Sequence, residues 1–228
     1  MYSVLGASLL AGVGGTGIGG VLSVFCCKNK LIEKILYCLT AGIMLSIVCF
    51  ELVPKALSMS DVIACSLFTV LGSYFVLGSE RVLERLKSGK SPSFSIALAI
   101  ALHNFPEGMI IGSGLSVGEY ALPVLVALHD IPEGLAAALP YSARNHRAKG
   151  VLVAILSGLP TVLGAVFGYV FAVLSVKICA FVLSFSAGAM LFVIFSKIIP
   201  CSIDLKRNDF SGIIVILGII IGLIFIGV

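Results

Sequence analysis

The chain has 228 residues, of which 59% are hydrophobic and only 11% are charged, and its formal net charge is +4. A soluble domain carries about 25% charged residues, so this composition excludes a soluble globular protein and favours a chain buried largely in the lipid bilayer. The positive charge is small and lies between the apolar segments, which excludes a basic surface for nucleic acid.

Eight apolar segments, separated by polar breaks, run along the chain. A helix needs about 20 apolar residues to cross the hydrocarbon core, and no segment shows the polar–apolar alternation of a membrane barrel strand. The first segment has no leading Lys or Arg, so we interpret it as a retained span and not as a cleaved signal. The predicted transmembrane helices are residues 2–25, 35–56, 61–79, 93–116, 120–141, 149–173, 178–200 and 211–228.

The basic residues predict the orientation of these helices. Twelve Lys and Arg residues lie in the first, third, fifth and seventh connections, whereas the even connections hold only Lys55 and Lys177. Cytoplasmic loops carry an excess of Lys and Arg, so we expect the odd connections in the cytoplasm and both termini outside. The alternation also supports the count of eight, because a missed helix would scramble it.

An internal repeat relates the first three predicted helices to the last three. The pattern A-G-x-M-L, with a proline nine positions further on, occurs at 41–54 and again at 187–200, an offset of 146 residues. Two more matches have this offset to within one residue: Leu71-Gly72 with Leu217-Gly218, and Thr16 with Thr161. Because each triplet has three helices and two helices intervene, the triplets are predicted to be inverted repeats, which are common in secondary transporters.

The two helices between the triplets carry similar motifs. Residues 101–108 read A-L-H-N-F-P-E-G and residues 127–134 read A-L-H-D-I-P-E-G, so six of the eight positions are identical. In each octad the histidine and the glutamate lie four residues apart and therefore share a helix face. The Asn or Asp that follows each histidine is turned by about 100°. Both histidines lie about 15 Å from the start of their helix, at 1.5 Å per residue, and are predicted to lie near the middle of the bilayer.

Ionisable side chains at this depth need compensation. Glu107, Asp130 and Glu133 would each cost about 2.5–3.5 kcal/mol at the centre of a bilayer, and neither helix contains a Lys or Arg. A bound cation is the natural partner. Pro106 and Pro132 also free backbone carbonyls, which in lipid need a polar partner or a cavity. The structural alternative is a buried polar network at two proline kinks.

These octads resemble the motifs of helices 4 and 5 in the ZIP (Zrt-/Irt-like protein) family of divalent metal transporters. The resemblance covers essentially the whole chain and implies one domain over residues 1–228, an all-α membrane protein with eight transmembrane helices in a 3+2+3 inverted-repeat arrangement. It implies zinc as the transported substrate, with Fe²⁺, Mn²⁺ and Cd²⁺ as alternatives, carried across the plasma membrane into the cytoplasm. Family members are often homodimers and are thought to move helices 1, 4, 5 and 6 against the rest.

The resemblance also implies a metal site on helices 4 and 5, at about residues 93–141. Its main ligands would be one histidine and one glutamate from each octad, and the Asn and Asp would form a neighbouring position. No catalytic residue and no resident cofactor are expected. The implied metal-site residues are His103, Asn104, Glu107, His129, Asp130 and Glu133.

Two residues depart from the family pattern. Helix 6 of such families commonly reads S-G-x-x-E-P, whereas residues 157–162 place Thr161 at the glutamate position. We therefore expect one tightly bound ion per chain. Lys197 stands where an acid is expected before Pro200, and we expect its side chain to extend to the cytoplasmic surface.

Two other classes of function fit part of this pattern. An intramembrane metal-dependent hydrolase needs an open coordination position and a general base, which these residues could supply. The chain has no H-E-x-x-H motif, however, and inverted repeats are not typical of enzymes. A metal sensor or non-transporting scaffold is the other alternative. Uptake of radioactive metal by vesicles separates transport from both.

Overall fold

The computed structural model describes residues 1–26, 30–86, 92–202 and 209–227. Those residues form eight helical segments, and none of them lies in a strand. We number the segments in chain order: α1 (2–26), α2 (30–59), α3 (Val62–Leu86), α4 (Pro92–Ser116), α5 (Leu122–Ser142), α6 (147–174), α7 (176–202) and α8 (Asp209–Ile226).

Within the described residues, six of these segments are long and apolar enough to cross a membrane: Tyr2–Phe25, Lys34–Met59, Val62–Val82, Leu122–Ser142, Arg147–Leu174 and Val176–Ser196. The apolar helix Phe210–Ile226 is shorter, and α4 is not among the six. The prediction of an all-α membrane protein is confirmed, while the exact count of eight spans stays a prediction.

The helix bounds agree with the apolar pattern to within a few residues, except for α2 and α3. The third helix was expected to end at residue 79, but it continues to Leu86 and takes Arg81 and Arg85 into the helix. Residues 80–86 are Glu, Arg, Val and Leu, all of which are compatible with a helix. Hydropathy therefore marks where the helix leaves the apolar layer, and the helix itself ends later. The start of α2 at Lys30 rather than 35 has the same cause.

Four segments depart from regular α-helical winding. Short π-helical stretches interrupt α1 at Leu9–Gly14, α2 at Ile47–Leu52 and α7 at Ile194–Ile198, and α6 breaks at Gly158. The stretches in α2 and α7 overlap at the offset of 146 residues that relates the two sequence triplets. Such bulges are frequent at functional sites.

The helices pack most closely in four pairs, α1 with α5, α4 with α6, α2 with α8 and α3 with α7. Glycines lie at the crossings, since a Cβ at Gly42 of α2 would overlap the backbone of α8 next to Gly218, and a Cβ at Gly188 of α7 would overlap the backbone of α3 at Thr69. Small residues allow membrane helices this close approach. Gly42, where α2 crosses α8, and Gly188, where α7 crosses α3, are separated by the repeat offset of 146 residues. This agreement supports the inverted repeat, which stays a prediction.

The largest apolar core lies between α2 and α7 on one side and α4 and α5 on the other. This core contains Met44 and Ile47 of α2, Met190 of α7, Ile110 of α4 and Leu125 of α5. Each of these five side chains is at most 2% exposed. This core holds the two octad helices against the rest of the molecule.

Candidate metal centre

The octads of α4 and α5 bring a group of polar side chains into the interior. Asn104 and Glu107 lie on α4, and His129, Asp130 and Glu133 lie on α5. Each is between 0% and 5% exposed. His103 occupies the position before Asn104 on α4, and its side chain lies outside the described part of the structure, as does that of Lys197.

Neighbouring helices cross the two octads at their final glycines. A Cβ at Gly108 of α4 would overlap the carbonyl oxygen of Thr161 on α6, and a Cβ at Gly134 of α5 would overlap the carbonyl oxygen of Thr16 on α1. The β-carbon of Asp130 also lies against Gly15 of α1. Helices α1 and α6 therefore border the site that α4 and α5 form.

Three side chains form a cluster that could hold a metal ion. One ligand atom each from Glu107, His129 and Asp130 lies within 4.8 Å of the others. His129 Nε2 is 3.3 Å from a Glu107 carboxylate oxygen and 3.5 Å from an Asp130 carboxylate oxygen. Zinc bonds to N and O of about 2.0–2.2 Å in a tetrahedron give ligand–ligand edges of about 3.4 Å, so both distances suit donors around one ion.

The other expected ligands stand in different relations to this cluster. Glu133 is 5% exposed and lies one turn after His129 on α5, but it is not one of the three clustered residues. Asp130, which the family resemblance assigns to a neighbouring position, lies within the cluster. The structure thus gathers Glu107, His129 and Asp130 in one group, and their role as metal ligands stays a prediction.

Asn104 is anchored to α6 by the break in that helix. In a regular helix the Thr161 N–H would donate to the Ser157 carbonyl four residues earlier, but here it donates to the Gly158 carbonyl at 3.2 Å. The Ser157 carbonyl instead accepts a hydrogen bond from Asn104 Nδ2 at 2.8 Å. Asn104 Oδ1 has no hydrogen-bond partner among the described residues, so it stays available as a donor atom for a metal.

Thr161 occupies the position at which a carboxylate was expected. Its side chain is 0% exposed and lies against Gly12 of α1. Its Oγ1 has no hydrogen-bond partner in the part of the chain that the structure describes. A neutral hydroxyl can contribute a weak ligand or hold a water molecule, but it adds no charge to balance a second cation.

The site holds more acidic than basic side chains. Glu107, Asp130 and Glu133 are three buried carboxyl groups, and the sequences of α4 and α5 contain no Lys or Arg. A buried carboxylate is stable only when it is paired, bound to a metal or protonated. A divalent ion among one imidazole and several carboxylate oxygens is a donor set that zinc accepts.

Sequence reasoning associated helix 6 with the site only through Thr161, and it missed two other contributions of α1 and α6. Gly15 of α1 and the Ser157 carbonyl of α6 border the octads, yet neither stands out chemically in the sequence. The match between Thr16 and Thr161 relates α1 to α6, but it did not predict that both helices cross the octads.

A second charged group lies away from the site. Lys55 of α2 forms an ion pair with Glu119 in the connection between α4 and α5, and both side chains are about one-third exposed. Glu51, one turn before Lys55, interacts with the same Glu119 carboxyl group. Sequence reasoning did not single out Glu119.

Comparison with known proteins agrees with the chemistry of the site. The family model described as ZIP Zinc transporter matches residues 79–228, which include both octads. The zinc transporter ZupT of Corynebacterium aurimucosum is 34% identical over 226 residues, covering 84% of each chain. The zinc transporter ZupT of Escherichia coli O7:K1 is 32% identical over 228 residues, covering 89% of this chain and 87% of its own. The chain therefore belongs to the ZIP family of zinc transporters, a family of transporters and not of enzymes.

Proposed function

We propose that this protein carries divalent metal ions, zinc first among them, across its membrane and into the cytoplasm through the octads of α4 and α5. Membership of the ZIP family supports metal transport. The observation that carries the site assignment is the buried cluster of Glu107, His129 and Asp130. Family membership lends no support to an intramembrane hydrolase.

The proposed ion site has two parts. Glu107, His129 and Asp130 supply the clustered donors, and Glu133 lies one turn away on the same helix face as His129. His103 would contribute a second imidazole from α4, and Asn104 Oδ1 a neutral oxygen. Imidazole together with carboxylate also admits Fe²⁺, Mn²⁺ and Cd²⁺, so the donor types alone favour zinc without excluding the others.

Removing one carboxylate tests the site. Purified protein in liposomes should take up radioactive zinc, and the variants Glu107→Ala and Glu133→Ala should lose uptake while they still insert into the membrane. Ser113→Ala is a matched control on α4, because the Ser113 hydroxyl donates to the Met109 carbonyl of its own helix at 2.6 Å. Normal uptake by both glutamate variants would refute the assignment. Competition by unlabelled Fe²⁺, Mn²⁺ and Cd²⁺ ranks the substrates.

The proposed direction rests on the basic connections. Twelve Lys and Arg residues in the odd connections, against two in the even ones, favour a cytoplasmic location for the odd side and an outer location for both termini. Labelling of single introduced cysteines at residues 2 and 227 in intact cells tests this orientation, and cell fractionation tests the proposed plasma-membrane location. Resistance of both termini to an impermeant reagent would reverse the orientation.

A homodimer is a further part of the proposal, taken from the resemblance to the family. Mass photometry of the purified protein in detergent and in nanodiscs measures the number of chains per particle. A single-chain particle that still transports zinc would make the dimer unnecessary for function.

A further inference from the structure

Thr40 on α2 and Ser186 on α7 carry buried hydroxyl groups that have no hydrogen-bond partner among the described residues. Hydroxyls of membrane helices commonly donate to a carbonyl of their own helix, as the Ser46 hydroxyl does to the Ile43 carbonyl at 2.7 Å. Thr40 is 1% exposed and Ser186 is 0% exposed, and neither hydroxyl is bonded to any residue that the structure describes. A buried polar group without a partner is unfavourable and calls for an explanation.

Thr40 lies on the inner face of α2. The opposite side of α2 faces α8, because Gly42 packs there against the α8 backbone. Thr40 is two residues from Gly42 and is therefore turned by about 160° from it. It shares its face with Met44 and Ile47, four and seven residues further on, and both of these are completely buried.

Ser186 occupies the equivalent place on α7. Gly188 packs against α3 at Thr69, and Ser186, two residues earlier, is turned by about 160° from it. Ser186 shares its face with Met190 and Val193, each 2% exposed. The two faces correspond residue by residue at the offset of 146, since Thr40, Met44 and Ile47 match Ser186, Met190 and Val193.

Both faces are directed towards the helices that carry the octads. The apolar core that contains Met44 and Met190 also contains Ile110 of α4 and Leu125 of α5. Ile110 lies three residues after Glu107, and Leu125 lies four residues before His129, so each belongs to the helix face that carries the metal ligands. Thr40 and Ser186 are thus polar positions on the surface that faces the site.

We propose that Thr40 and Ser186 line the path of the metal ion, one on each of the two helices opposite the octads. Their hydroxyl oxygens would coordinate the ion, or accept a hydrogen bond from its hydration water, as the ion reaches or leaves the carboxylate cluster. A neutral oxygen suits this role because conduction needs contacts that are favourable enough for entry and weak enough for release. The inference rests on the proposed transport function.

Removal of each hydroxyl tests the proposal. Thr40→Val keeps the shape of the side chain, and Ser186→Ala removes only the hydroxyl. We expect the maximal rate of zinc uptake in liposomes to fall about three- to tenfold in each variant, the effect of one hydrogen bond lost in the limiting state. Equilibrium zinc binding should stay the same, and the melting temperature should stay the same or rise, because an unsatisfied buried group has been removed.

Two control variants separate a path role from a packing role. Ser46→Ala removes a hydroxyl on α2 that bonds its own helix. Ser184→Ala removes a second hydroxyl of α7. Ser184 is 1% exposed, and its hydroxyl also has no partner among the described residues, but the side chain is turned by about 160° from that of Ser186. Both controls should transport at the rate of the parent protein. An equal loss of uptake in the controls, or a lower melting temperature in Thr40→Val and Ser186→Ala, would make the effect one of packing and overturn the proposal.

Cysteine accessibility gives a readout that does not depend on transport rate. Thr40→Cys and Ser186→Cys should react with a small water-soluble methanethiosulfonate reagent faster than the buried native thiols Cys38, Cys65 and Cys179 do, and Cd²⁺ should slow the reaction. Suppose that the parent protein takes up zinc, that Thr40→Val and Ser186→Ala take it up at the same rate, and that both introduced thiols stay unreactive. The path assignment is then wrong and the proposed function stands. If the parent protein takes up no metal, the proposed function fails and the path assignment fails with it.

Discussion

The two octads differ at only two of eight positions, yet the fold uses them differently. The octad of α4 is fixed to α6 through Asn104, which donates to the Ser157 carbonyl. The octad of α5 has Asp130 at the equivalent position, and the carboxylate of Asp130 lies close to His129 and Glu107 instead. One motif therefore supplies both an anchor and a part of the proposed metal-binding cluster, and the choice between Asn and Asp separates the two roles.

The largest effect should follow from making the second octad like the first. Asp130→Asn keeps the size of the side chain but removes a negative charge from the three-residue cluster. We expect zinc to bind about 100-fold more weakly or worse, at least the loss seen when an outer contact of a metal site is removed. Calorimetric titration of purified protein measures this affinity. Unchanged binding would mean that Asp130 is not a ligand.

The reverse exchange should affect stability more than metal binding. Asn104→Asp replaces the donor to the Ser157 carbonyl with an acceptor, so two buried oxygens face each other. We expect the free energy of unfolding to fall by about 1–3 kcal/mol, the cost of an unsatisfied buried group, whereas the aspartate still offers an oxygen to the ion. Thermal unfolding in detergent, with Ser113→Ala as control, checks this. A variant as stable as the parent protein would show that the anchor is dispensable.

A smaller change is expected at Thr161, the neutral residue between the two octads and α1. One tightly held zinc ion per chain should remain after dialysis against a weak chelator. The three buried carboxyl groups of Glu107, Asp130 and Glu133 carry too little negative charge to balance two divalent ions in a medium of low dielectric constant. Thr161→Glu should raise the metal content towards two ions, and Thr161→Val should leave it at one. Native mass spectrometry counts the ions. Two retained ions in the unaltered protein would contradict this explanation.

The smallest effect is expected at the ion pair between Lys55 and Glu119, whose charges are partly exposed. Lys55 and Glu119 are about one-third exposed, and exposed ion pairs contribute about 0.2–1 kcal/mol. Glu119→Gln should therefore change thermal stability little and leave zinc binding at the octads unaltered. A loss of zinc affinity as large as that of Asp130→Asn would show that the Lys55–Glu119 ion pair and the octads act as one site.

The sequence predicted most of the helices and the octads because both depend on short-range information. Long apolar runs define the helices, and Glu107, Asp130 and Glu133 stand out because lipid makes isolated charges unfavourable. The role of Asn104 could not be predicted, because it depends on the free carbonyl of Ser157 in another helix. The extension of α3 through Arg81 and Arg85 was missed because hydropathy reports the lipid boundary and not the helix end.

The break at Gly158 also has a consequence for how the chain assembles in the membrane. When a helix enters lipid with one backbone carbonyl that accepts no hydrogen bond within the helix, that carbonyl stays unsatisfied until a donor from elsewhere reaches it. The Ser157 carbonyl finds that donor in Asn104, on a helix that is synthesised and inserted earlier. Docking of α6 is therefore expected to follow insertion of α4. An Asn104 variant would then accumulate as inserted but unassembled protein. The quality-control proteases of the membrane could degrade this form before it carries any metal.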